Sequence, residues 1–124
     1  MITIRSEQMK KFSEAASKRF EDLMVVHLSK YFPNQCKAAG EAELRRTIRY
    51  GVKRAASYKI KAQRDVSRYI DLMMVLGNDF DADGRLPWAA EILAKKTVPP
   101  TRMRALLGAT LNFLKQSRRS VRSA

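Results

Sequence analysis

Apolar residues recur every three or four positions through most of the chain, and that period predicts one helix after another. In the first long run Met9, Phe12, Ala16, Phe20, Leu23, His27 and Tyr31 form a single stripe, flanked by Met24 and Leu28. Ser6 has the chemistry of an N-cap ahead of it. Pro33 stops it, because proline has no N–H to donate to the preceding turn. The positions between, Lys10, Lys11, Glu14, Lys18, Glu21 and Asp22, alternate in sign as on a solvated helix face. After Gly40, the spacing of Leu44, Ile48, Val52 and Ala55 predicts a second helix, and the pattern breaks around Ser57, Tyr58 and Lys59. A third helix is expected from about Lys61 to Leu76, with Val66, Tyr69, Ile70 and Met73 inward and Gly77 as its stop.

The stretch from Asn78 to Gly84 reads as a loop. Pro87 is placed to open a short helix that holds Trp88, Ile92 and Leu93. Pro99 and Pro100 mark the next break, and a last helix opening at Pro100 or Thr101 carries Met103, Leu106, Leu107, Thr110, Phe113 and Leu114. After Gln116 serine and arginine dominate, as in a basic flexible tail over 117–124. No run alternates with the period of two that a half-buried strand needs. The expectation is an all-α fold, a single compact bundle of about four to five helices over residues 1–116.

Composition narrows the classes. A chain of 124 residues with 45% hydrophobic content can bury a core without disulfides or metals. Cys36 is the single cysteine, so no intramolecular disulfide can form and a reducing compartment is the simpler setting. No segment reaches the ~18 apolar residues of a membrane span, and the N-terminus has no signal-peptide run. The expected location is the cytoplasm.

Charge changes the picture most. There are 25 Lys+Arg against 12 Asp+Glu, a formal +13. From Arg45 to Arg68 run Arg45, Arg46, Arg49, Lys53, Arg54, Lys59, Lys61, Arg64 and Arg68, opposed only by Asp65. Arg45, Arg49 and Lys53 share one helix face, with Arg46 and Arg54 beside them. Like charges at that spacing repel by a few tenths of a kcal/mol per pair, which suggests a face kept for use on an acidic surface. Tyr50 and Tyr58 lie within the same run, as on a single-strand nucleic-acid platform.

Candidate chemistry is sparse. Asp79, Asp81 and Asp83, followed by Gly84, match the front of a calcium loop, but its twelfth position is Ala90 and Pro87 falls at a ligand position. The reading preferred is a polar turn capping the helix that starts near Pro87, with no metal. His27 is a lone histidine on an apolar stripe, where a packed residue is the ordinary case. No phosphate loop and no nucleophile elbow is present. No cofactor and no catalytic residue is assigned. Trp88 is a candidate apolar anchor, for its own helix or for a partner.

Six strings occur in order: Phe20-Glu-Asp-Leu-Met-Val-Val-His-Leu, Tyr31-Phe-Pro, Tyr58-Lys-Ile, Arg64-Asp-Val-Ser-Arg-Tyr-Ile-Asp-Leu-Met, Gly77-Asn-Asp-Phe-Asp and Pro87-Trp-Ala-Ala-Glu-Ile-Leu. Together they resemble a family of small helical bacterial proteins of unknown function encoded beside type VI secretion spike, PAAR-type tip and effector genes. The resemblance spans roughly Ile4 to Leu114 and carries no catalytic residues. It implies an accessory protein, an adaptor, chaperone or immunity protein, whose partner is an effector or spike component. The expected function is therefore non-enzymatic protein binding to an acidic surface, through Arg45, Arg46, Arg49, Lys53 and Arg54 with Trp88. The alternative is a nucleic-acid-binding helical module using the same basic face.

Overall fold

The computed structural model describes the backbone of residues 2–123 and the side chains of residues 16–117. Six α-helices and one 3-10 turn follow in order: α1 (Ile2–Tyr31), α2 (Pro33–Ala39), α3 (Glu41–Ser57), α4 (Gln63–Leu76), the 3-10 turn (Phe80–Ala82), α5 (Pro87–Ala94) and α6 (Pro99–Ser123). No strand occurs among the described residues. The all-helical expectation holds, with one helix more than the upper count. No described helix is long and apolar enough to cross a membrane.

The extra helix is α2. Pro33 ends α1 as expected, and it also occupies the first position of the next helix, where its missing N–H costs nothing. Gly40, at φ 84, closes α2 through its N–H to the Cys36 carbonyl, in a backbone region that glycine enters without a Cβ clash. Ser6 lies inside α1 rather than ahead of it. At the other end, helical backbone continues to Ser123 through the segment expected to be a tail.

The chain divides into two compact units, Met1–Tyr50 and Gly51–Ala124, with the division inside α3. The single domain expected from the chain's length is thus built of two such units.

In the first unit Met24, Leu28, Leu44 and Ile48 are buried. The inward face of α1 therefore differs from the expected stripe. Leu23 and Tyr31 are each 60% exposed, while the flanking Met24 and Leu28 are inside. In the second unit Val66, Tyr69, Ile70, Leu72 and Met73 of α4 are buried with Phe80, Leu86, Ala89, Leu93, Met103 and Leu106. At Gly51, α3 lies against Ile70 and Met73 of α4 with no room for a side chain. A Cβ there would meet Ile70 Cγ1 at 2.7 Å and Met73 Sδ at 2.8 Å, closer than packed atoms allow.

Helix α3 ends in a paired turn: Ile60 N–H reaches the Ala55 carbonyl at 2.9 Å and Lys59 N–H the Ala56 carbonyl at 2.9 Å. This is the Schellman arrangement, built here with Lys59 at φ 63 where glycine is usual. Ile60 is fully buried as its apolar clasp. Helix α4 ends at Gly77, whose N–H binds the Met73 carbonyl.

Candidate functional site

The basic face of α3 is not a row of unopposed cations. In the first unit Arg45 donates to Asp22 at 2.9 Å, to Glu41 at 3.2 Å and to Glu21 at 3.3 Å. These bonds, to Asp22 foremost, hold its guanidinium well above the ordinary arginine value. Arg49 reaches Glu21 at 3.1 Å, and Arg46 pairs with Glu43 one turn away at 3.0 Å. Glu21, expected on a solvated face, is only 9% exposed, because it lies between two guanidiniums. The repulsion anticipated within α3 is thus offset by carboxylates of α1 and of the first turn of α3. Those acids also suit the positive end of the α3 dipole. Arg46, Arg49 and Lys53 remain exposed to solvent, whereas Arg45 is half-buried.

In the second unit Arg54 pairs with Asp81, whose side chain has no accessible surface. The Tyr58 hydroxyl donates to the same carboxylate oxygen at 2.6 Å. Burial, then the Asp81 carboxylate, pushes the Tyr58 phenol up to about 12. Tyr69 stacks on Phe80 with ring centroids 5.0 Å apart, and its phenol is also raised, chiefly by burial and then by Asp81. Arg102, itself buried, donates to the Leu93 carbonyl at 3.0 Å and to the Tyr58 carbonyl at 2.7 Å.

This geometry takes the aspartate run apart. Asp81 turns inward to Arg54 and Tyr58, and Asp83 pairs with Arg85 at 3.1 Å, which holds the Asp83 carboxyl below its ordinary value. Asp79 precedes the 3-10 turn without a side-chain capping bond, and Leu86 stands at the α5 N-cap position with none either. The helix-capping role expected of the run is therefore absent. Among the described residues no three His, Cys, Asp or Glu side chains gather as a metal site.

Trp88 is half-buried, with its ring 6.0 Å from that of Phe113 in α6. It fastens α5 to α6 within the second unit. Tyr58 is committed to Asp81 and is not an open stacking platform, while Tyr50 is partly exposed. His27 stacks against Tyr31 at 4.9 Å. Cys36, half-buried, lines an apolar groove of about 330 Å³ with Val25, Ser29, Pro33 and Leu44.

Sequence reasoning missed Glu21, Asp81 and Arg102 as organising groups, since their partners lie far along the chain. The Tyr58-to-Asp81 spacing has no local signature. Comparison with protein families, curated proteins and solved structures finds no match to this chain.

Proposed function

We propose that this chain is a non-enzymatic protein-binding accessory, of the adaptor, chaperone or immunity kind implied by its resemblance to type VI secretion neighbours. It would engage an acidic partner through basic helical faces. One observation carries the reading: exposed cations share an outward helix face with exposed apolar side chains. On α1, Leu23 and Val26 are 60% and 69% exposed, and Arg19 and Lys30 are exposed on the same side of the helix. Arg46 in the first unit and Lys53 in the second are each exposed. Exposed apolar residues beside charge are the composition of a protein contact. Arg45 and Arg54 support the fold from within, so they hold the face rather than meet the partner.

The test uses two variants of the full chain: Arg46→Glu with Lys53→Glu, and Leu23→Ser with Val26→Ser. Both are expected to melt like the parent, because the altered side chains are exposed. Both should lose a specific protein partner captured after nuclease treatment. A parent that captures only nuclease-sensitive material, with an affinity falling linearly in log salt, overturns the reading in favour of nucleic-acid binding.

A further inference from the structure

Helix α6 carries a second outward seam, distinct from the α3 face. Leu106, Met103 and Thr110 lie inward, Thr110 donating to the Leu106 carbonyl at 2.7 Å. Leu107, Leu111 and Leu114 do not join them: they are 44%, 53% and 38% exposed. Their spacing of four and three places them in one strip about 60° wide and ~10 Å long. Arg104 and Lys115, both exposed, lie on the solvent edge of that strip, one near each end and about three turns apart. No acid occurs anywhere in α6, and the sequence after Lys115 adds Arg118, Arg119 and Arg122.

We propose that this seam is the docking site for an acidic amphipathic helix of a partner protein, one with a leucine-type stripe edged by carboxylates. The inference rests on the protein-binding reading above and names the partner's chemistry. Anchors at i, i+4 and i+7 are what one helix offers another. The cations at the edge favour carboxylates there and set the approach and register. A second copy of the same face would bring cation to cation, Arg104 to Lys115 in an antiparallel pairing, with no acid in α6 to answer them. A membrane surface needs a broader apolar face than this strip, because exposed Asn112 and Gln116 lie across from it. Nucleic acid has no use for three leucines between its phosphate contacts.

The test uses the intact chain and a synthetic helical peptide with leucines at i, i+4 and i+7 flanked by glutamates. The control is a peptide of equal composition with the leucine spacing scrambled. Binding is read from the fluorescence anisotropy of a dye on the peptide, because the single tryptophan packs on Phe113, which lies roughly 130° around α6 from the strip. The spaced peptide should bind about tenfold or more tighter than the scrambled one. Leu107→Ser with Leu111→Ser should lose that margin while melting as the parent does. Arg104→Gln with Lys115→Gln should weaken both peptides and lower the salt dependence.

Equal binding of the two peptides, or full binding by the leucine variant, overturns the seam. So does a response confined to phosphatidylglycerol vesicles or to a single-stranded oligonucleotide. Failure here with partner capture intact and sensitive to the α1 and α3 variants removes only the α6 assignment. Capture of nucleic acid alone removes the protein-binding reading itself.

Discussion

In the first unit Arg45 gathers three carboxylates, two of which, Asp22 and Glu41, keep 51% and 69% of their side-chain surface in water. In the second unit Arg54 meets Asp81, a carboxylate with no accessible surface. The ion-pair chemistry is the same, and the solvent around it differs. Exposed pairs contribute about 0–1 kcal/mol each and fade with salt. A buried pair contributes little net stability over an apolar substitute, yet losing one partner strands the other. The α1–α3 cluster therefore tunes a surface, while the Arg54–Asp81–Tyr58 network locks a core.

The largest effect that could break this contrast is at Asp81. Asp81→Asn should cost about 2–3 kcal/mol in urea denaturation, by taking the carboxylate from Arg54 and Tyr58, with solvent at the one-third-exposed Arg54 side chain offsetting part of the loss. Replacing both partners, Arg54→Met with Asp81→Leu, should recover most of that loss. A loss for Asp81→Asn below about 1 kcal/mol would make the two networks equivalent.

Next is packing in the second unit. Gly51→Ala should cost about 1–3 kcal/mol, since the new Cβ must displace Ile70 and Met73. A neutral result would show that α3 and α4 can separate without penalty.

In the first unit, Glu21→Gln should cost about 1–2 kcal/mol, because one carboxylate serves two arginines. Asp22→Asn, at an exposed position, should stay below about 0.5 kcal/mol. Raising salt toward about 1 M should erase the effect at exposed Asp22 and leave those at the buried carboxylates Glu21 and Asp81 largely in place. Parallel salt responses would contradict the difference in burial.

The smallest effect sharpens the comparison at high pH. The folded protein holds the Tyr58 proton more tightly than the unfolded chain does. The stability linked to this group is therefore complete below the ordinary phenol value of about 10. It is lost as pH rises to about 12. Phenolate absorbance should show late components from Tyr58 and Tyr69; Tyr58→Phe should remove one and leave the Tyr69 component, and the variant's alkaline stability curve should be flatter over that window.

Much of the second unit was readable from local pattern. Val66, Tyr69, Ile70 and Met73 are the buried stripe of α4, Gly77 ends it, and Pro87 opens α5. Each follows from period, backbone chemistry or proline geometry within one element. The first unit was less readable for a physical reason. Helix α1 has apolar residues on adjoining faces, and periodicity does not say which face meets a neighbour, so Leu23 was expected inside where Met24 is found. Pro33 could be seen as a stop, but its second role as a start depends on the chain turning at Phe32. The arginines of α3 were visible as a face, but not their partners Glu21, Asp22 and Asp81, since pairing across more than twenty positions leaves no spacing to recognise. The aspartate run misled in a related way, because its residues face different partners.

Arg102 has a consequence for how the second unit comes apart. Its guanidinium binds a carbonyl at the end of α5 and one just past the end of α3, from a position in the first turn of α6. Two helix C-termini, which would otherwise need separate caps or water, thus share a single donor group. Fraying the start of α6 uncovers both at once, so these three helix ends should open as one cooperative step rather than independently. Amides in the last turns of α3 and α5 and the second turn of α6 would then exchange with solvent at a common free energy, and Arg102→Met would split that shared value into three.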